Sequence, residues 1–409
     1  MNLHDKNTIV VVILIILISG TLLYFPISNY IKKNYAKVFG TIIDPFVFNN
    51  GSRVHTQDDW QLRREEIKDM ILNIEYGTIP DRPDQLIVSE LDTNTNEDRT
   101  SMKTLNFKVI PRNGSTEHIF NFTVWLYLPA TSGPHPVLLK VAKDGIGSQV
   151  PVNNTIVNRN YTYICFEHIA LDPDTEGYDT IGPAQAAYPN YTWGTLAVWA
   201  WGAMRVVDYL VREPWVSAPY FPEIEADKII ITGHSRRGKV SLLAAALDER
   251  IKMAAPSGSG CGGVGSFKVQ GFGAETIALI TRKEKFWSWF HQNFSQWSGK
   301  DAELPFDQHF LISLIAPRYI ISLTGMDDLW ANPIGTQVMS KAAQPVFDFL
   351  NNSKGNAIRY REGGHSYLEQ DFNAVLDFAD RVFYGKEPTQ NFYMYPYKDP
   401  VNIENNKPI

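Results

Sequence analysis

Apolar positions fall into three regimes along the chain. From Thr8 to Phe25 the run TIVVVILIILISGTLLYF carries no charge over 18 residues, enough at about 1.5 Å per residue to cross a hydrocarbon core of roughly 30 Å. From about Asp44 the pattern becomes short apolar runs separated by helix-periodic stretches. From about Lys386 it gives way to a Pro-, Tyr- and Asn-rich tail, expected to wrap the surface or fray. The segments expected are therefore a short N-terminal piece 1–7, a transmembrane signal-anchor 8–26, a linker 27–43, a main domain 44–385 and a tail 386–409.

Within the main domain the spacing predicts a helix near Trp60 to Ile74 and two β-like runs, LNFKVI and FNFTVWLYL. Nearly continuous apolar strands follow at 136–142 and 162–168, then a long helix from Trp193 to Val211. KIIITG at 228–233 leads into a helix from about Arg237, and IKMAAP at 251–256 is the next strand. After a stretch rich in Trp and Phe come YIISLTG at 319–325, a helix, AIRYREGG and a last helix ending near Phe383. Continuously apolar strands alternating with helices mean an α/β architecture, a mostly parallel sheet covered on both faces.

The 409 residues, 44% hydrophobic and 20% charged, suffice for one large α/β domain with appendages. A net charge of −6 argues against a nucleic-acid partner. Eight Asn-x-Ser/Thr sequons occur, at Asn50, Asn113, Asn121, Asn153, Asn160, Asn190, Asn293 and Asn351, where about three would arise by chance. The excess points to a glycoprotein whose domain is lumenal or extracellular. Lys32, Lys33 and Lys37 after the span argue for the opposite orientation, and the sequons are given more weight. A cleaved signal peptide is the rival to an anchor, but no small-x-small cleavage site follows the span. Cys165 and Cys261 lie by strands that are not expected to be neighbours, so no disulfide is expected.

The chemistry sits at strand ends. KIIIT runs into Gly233-His234-Ser235-Arg236-Arg237-Gly238 and then into a helix. A serine at a sharp strand-to-helix turn stands above the sheet, beside backbone N–H groups able to hold an oxyanion. A helix N-cap serine is the alternative reading. YIISLTG is followed by Asp327-Asp328, and AIRYRE by Gly363-Gly364-His365. Serine, acid and histidine at three successive strand ends match the order of the α/β-hydrolase fold. The base takes the serine proton and the carboxylate holds the imidazole tautomer. Gly260-Cys261-Gly262-Gly263-Val264-Gly265 fits G-x-G-x-x-G, but not in a first βαβ unit, so no dinucleotide is expected. No paired histidine spacing suggests a metal.

GHSRRGK at 233–239 resembles the Gly-x-Ser-Arg-x-Gly-Lys signature of the glucuronoyl esterases, carbohydrate esterase family fifteen. DPFVFNNGSRV, WAWGAMRVVDYL, LDERI, SGCGG, GAETIA, LPFDQH, LIAPR, DLWANP and GGH follow in family order over about residues 44–385, closer to the bacterial-type branch. The resemblance implies an α/β-hydrolase-fold serine esterase cleaving esters of glucuronic acid, such as 4-O-methyl-glucuronoyl linkages between lignin and carbohydrate, without a cofactor. It implies Ser235 as nucleophile, His365 as base, Arg236 in the oxyanion hole, and Lys239, Glu275 and Trp289 against the sugar. Where many members carry a glutamate two residues past Pro256, this chain has Gly258. The acid is therefore expected at Asp328, with Asp327 the alternative. The expected protein is a single-pass, membrane-bound monomer acting on a glucuronate-ester or related carbohydrate substrate. An esterase for another carbohydrate or small ester, and a non-catalytic membrane-bound binding protein of the same fold, are the competing readings.

Overall fold

The computed structural model describes residues 34–112, 118–142, 150–175 and 181–401. The apolar span 8–26, the sequon at Asn113 and the end of the tail lie outside the described residues. Among the described residues no helix is long and apolar enough to cross a membrane.

The strands are β1 (Ala36–Val38), β2 (Gln85–Thr95), β3 (Ser101–Ile110), β4 (Phe120–Leu128), β5 (His135–Ala142), β6 (Thr162–Glu167), β7 (Val216–Ser217), β8 (Ile224–His234), β9 (Ile251–Ser257), β10 (Val269–Gly271), β11 (Tyr319–Gly325) and β12 (Asn356–Arg361). Ten of them form one sheet in the order β12-β11-β9-β8-β5-β6-β4-β3-β2-β7. From β12 to β6 all neighbours are parallel, whereas β6, β4, β3 and β2 pair antiparallel. The parallel part is apolar on both sides, as in β5 (HPVLLKVA), because helices cover both faces. One core cluster holds Leu139, Ile229 and Ile231 with the helices α1 (Gln57–Ile71), α2 (Thr195–Leu210) and α3 (Arg236–Leu247). The other holds Leu138, Ile230 and Leu323 with α5 (Glu369–Tyr384), while α4 (Pro333–Phe349) joins the first cluster through Val338, Met339 and Val346.

One segment differs from the expectation, and the tail takes one of the two courses expected of it. The residues read as a linker, 27–43, are structured in their described part. There β1 pairs antiparallel with β10, Ile42 and Ile43 pack on the core, and the Ile43 carbonyl lies 2.7 Å from His309 Nε2. The described tail wraps rather than frays: Phe392 is buried, and the Met394 N–H donates to the Ile358 carbonyl at 3.1 Å. Cys165 and Cys261 form no disulfide and are buried.

Candidate active site

Strand β8 ends at His234 and α3 starts at Arg236, so Ser235 alone makes the turn, at φ 58° and ψ −130°. Such a backbone costs on the order of 1–3 kcal/mol for a residue with a Cβ. The surroundings enforce it. The Ser235 N–H donates to the Ser257 carbonyl at 2.8 Å, and its own carbonyl accepts from Gly238 at 2.8 Å and Lys239 at 3.3 Å. Any Cβ on residue 233 would stand 2.2 Å from the Arg237 carbonyl oxygen, so only glycine lets the turn close. Ser235 occupies the N-cap position of α3, but its hydroxyl makes no capping bond, and the residue is half-buried.

The loop after β12 carries His365, and buried Arg361 ties that loop down. Its Nη1 donates to the Glu362 carbonyl at 2.9 Å, and its Nη2 to the carbonyls of Gly364 at 3.1 Å and Ser366. Its Nε is paired with Asp371 at 2.9 Å. His365 Nδ1 then lies 2.7 Å from Asp328 Oδ2, with the ring 36% exposed and the carboxylate 2%. Asp328 Oδ1 accepts from the Ala331 N–H at 3.2 Å. Asp327 is exposed, and its carboxylate accepts from the Gly363 N–H at 3.2 Å, not from His365. Gly258 has φ +51°, and a Cβ there would lie 3.1 Å from Asp328 Oδ2. The strand-end position empty of an acid and the acid of the later loop thus converge on one point beside the histidine.

Arg236 projects from the first turn of α3. Its Nε donates to Asp174 at 2.7 Å and its guanidinium sits 5.3 Å over the Trp289 ring. Trp289 is itself buried and stacked on Phe286 at 4.1 Å. With Nε committed, the two amino groups of the guanidinium remain as the donors for a ligand. Arg237 turns away and donates to His168 Nε2 at 3.0 Å. Burial, then the Arg237 charge, hold the His168 pKa well below its usual value, so this imidazole is neutral and accepts.

Lys239 departs most from the expectation. Its ammonium donates to the carbonyls of Ser259 at 2.7 Å and Cys261 at 2.6 Å and to Glu275 Oε2 at 2.6 Å, with the side chain 2% exposed. All three protons are taken by protein. Glu275 is equally buried; desolvation raises its pKa while the Lys239 charge opposes the rise. The pair braces the loop after β9. That loop is the G-x-G-x-x-G segment, and its Gly260 carbonyl accepts from the N–H groups of Gly263 and Gly265, both at 2.9 Å. These donors face inward, not toward a phosphate. Among the described residues no His, Cys, Asp and Glu grouping could hold a metal ion.

Sequence reasoning passed over Asp174, His168, Arg361 and His234. His168, at the end of the predicted strand TYICFEH, and His234, inside the predicted serine turn, carried a local signal. Beside the Trp289 segment a cleft of about 640 Å³ opens between Tyr191, Trp193, Trp287, Phe290, His291 and Asn293.

The family model "Glucuronyl esterase, fungi" matches residues 112–351. A 4-O-methyl-glucuronoyl methylesterase of Podospora anserina is 30% identical over 298 residues, covering 72% of this chain and 57% of that protein's length. A carbohydrate esterase family 15 glucuronoyl esterase from Caldicellulosiruptor kristjansonii superposes with a TM-score of 0.74 at 30% identity, over 89% of this chain and 97% of the other. A variant of the Sporotrichum thermophile glucuronoyl esterase, solved with methyl 4-O-methyl-β-D-glucopyranuronate, superposes at 0.70 with 21% identity, over 91% of this chain and 95% of the other. These relatives come from fungi and a bacterium alike, so the similarity does not sort the chain with the bacterial-type branch expected from its motifs.

Proposed function

The chain belongs to the glucuronyl esterase family, and on that premise we propose that it hydrolyses carboxylic esters of glucuronic acid, 4-O-methyl-glucuronoyl esters among them, through an acyl-enzyme on Ser235. The observation that carries this reading is the 2.7 Å contact between His365 Nδ1 and Asp328 Oδ2, after β12 and β11 of the sheet in which β8, separated from β11 by β9 alone, ends in the strained Ser235 turn. Asp328 fixes the proton on Nδ1, leaving Nε2 to take the Ser235 proton as the hydroxyl oxygen attacks the ester carbonyl. The carbonyl oxygen becomes an alkoxide. The amino groups of Arg236 and its backbone N–H, which has no intrahelical partner in the first turn of α3, are the donors for it. Collapse of the tetrahedral intermediate expels the alcohol, which takes the proton back from His365. Water then repeats the sequence on the acyl-enzyme, releasing the uronic acid and restoring Ser235.

Two roles inferred from the resemblance are revised. Trp289 holds Arg236 from below and offers the sugar only an edge. Lys239 and Glu275 act as a buried pair that shapes the sugar-facing loop. The main domain and its tail form the catalytic unit, and the apolar span 8–26 anchors it as a single-pass, lumenal or extracellular glycoprotein. All six sequon asparagines whose side chains are described, Asn50, Asn121, Asn160, Asn190, Asn293 and Asn351, are exposed.

The test compares kcat/KM of the full chain on a benzyl glucuronate ester, the matching galacturonate ester and an acetylated sugar. Preference for the glucuronate ester is expected. Equal rates on the acetyl ester favour a general carbohydrate esterase, and no turnover of any ester favours a binding protein.

A further inference from the structure

His234 stands between Gly233 and Ser235, and the mechanism above leaves it unused. Its ring lies 4.4 Å, centroid to centroid, from the ring of His365 and is tilted to it by 42°. It also stacks on Tyr367 at 5.9 Å and 18°. Tyr367 in turn lies on Phe372 at 4.1 Å and 25°, and its hydroxyl shares a 2.5 Å hydrogen bond with Thr232 Oγ1. A continuous row of ring contacts therefore runs from Phe372, fully buried in the core, to His365 at the surface. The His234 ring is pinned within that row. Its Nδ1 is 3.2 Å from Ser257 Oγ, and a Cβ on residue 258 would come within 3.0 Å of its Cε1.

His365 needs such support. Its ring is 36% exposed, and its bond to Asp328 holds one nitrogen. A single hydrogen bond fixes a point, but the ring can still swing about it. Proton transfer requires the other nitrogen to be placed as well.

We propose that His234 is a positioning residue for His365: its ring fixes the plane of the catalytic imidazole and offers the imidazolium an uncharged aromatic face. The inference rests on the assignment of His365 as the base. A second positive charge in this place would oppose the proton transfer, and the surroundings prevent it. Burial first, then His365, push the His234 pKa down to about 3; Arg361 and Arg237 act in the same direction, and Asp328 opposes them. The His234 ring is therefore neutral at neutral pH.

The experiment measures kcat, KM and thermal melting for His234→Ala, His234→Phe and His365→Ala in the full chain. His234→Ala is expected to lower kcat by about tenfold to a hundredfold, with KM nearly unchanged because the sugar contacts are untouched. His234→Phe keeps a stacking ring without the anchoring nitrogen and is expected to restore most of kcat. A kcat equal to wild type in His234→Ala overturns the proposal, as does an equal loss in both variants at unchanged melting temperature. Should the alanine variant not fold, the phenylalanine variant decides: a folded protein with a kcat as low as a hundredth of wild type overturns it. Activity retained in His365→Ala sinks the base assignment itself, whereas an inactive His365→Ala beside a fully active His234→Ala sinks only the present inference.

Discussion

Neighbouring residues with similar side chains have been given different work by a few hydrogen bonds. Asp327 and Asp328 are adjacent, yet one caps the Gly363 N–H at the surface and the other, buried, holds His365. Asp328→Asn is expected to cut kcat by up to roughly ten-thousand-fold, because asparagine holds the wrong tautomer and cannot stabilise the imidazolium. Asp327→Asn, whose amide oxygen still accepts from Gly363, is expected to leave the rate nearly unchanged; steady-state kinetics on both variants decides between the carboxylates. Ser235→Ala is expected to abolish turnover with no loss of melting temperature, since the hydroxyl makes no capping bond that the fold would miss. Lys239 is different again. Removing its ammonium strands Glu275 in a dry site, which costs about 3–5 kcal/mol for a buried pair broken on one side. Lys239→Ala should therefore lower the urea midpoint sharply, and Lys239→Met with Glu275→Met should recover much of it. A stable Lys239→Ala that merely loses sugar selectivity would instead return the lysine to direct substrate contact.

Elements with a strong period were legible, and those built from distant partners were not. β5, β9 and β11 are apolar on both faces, so their runs stand out in the chain. β2 (QLIVSELDTNT) was not expected, because beyond Val88 its side chains are exposed and carry no alternation. The Ser235 turn, the two aspartates and His365 were readable because each follows a legible strand. Asp174 and Arg361 were not, since their partners Arg236 and Asp371 are distant in the chain or on another element and are brought to them only by the tertiary fold. The π-turn Leu72–Tyr76 that ends α1 makes the same point and carries its own test. It places Glu75 fully buried against Gln308 Nε2 at 2.9 and 3.1 Å, while Gln308 Oε1 has no partner among the described residues. Burial raises the Glu75 pKa from 4.5 to about 8, with Gln308 and Lys239 pulling it down. In the window between those values the unfolded chain has released this proton and the folded chain has not. Folding stability from this group is therefore full below about 4.5 and falls as pH rises toward 8, by on the order of 3–5 kcal/mol. Glu75→Gln keeps a neutral amide there and supplies a donor for Gln308. Its melting temperature should exceed wild type at pH 8 and match it at pH 5, and identical pH profiles for the two proteins would refute the assignment.

At the scale of the whole molecule the proposed anchor raises the question of which side of a membrane the catalytic domain would work on. The charges flanking the apolar span and the sequons disagree, and the fold adds a third consideration. Residues that ended up in a core could not carry a glycan, whereas the six described sequon asparagines all stand at the surface. They also spread over separate elements: Asn50 in the turn before α1, Asn121 on β4, Asn160 just before β6, Asn190 and Asn293 near the aromatic cleft, and Asn351 after α4. An acidic chain of net charge −6 gains nothing from the negatively charged inner leaflet either. The full chain made in a eukaryotic secretory system is therefore expected to carry several N-glycans, seen as a stepwise rise in mobility on graded endoglycosidase treatment. Asn→Gln at the six exposed positions should remove those steps one at a time and leave kcat intact, except at Asn293. There the asparagine lines the cleft beside the segment that carries Trp289, so a glycan narrows the approach, and Asn293→Gln should raise kcat/KM on polymeric substrate while leaving a small benzyl ester unaffected. A chain that stays membrane-bound with no endoglycosidase-sensitive mass would place the domain on the cytosolic side, as Lys32, Lys33 and Lys37 suggest, and would reverse the topology proposed here without touching the esterase site.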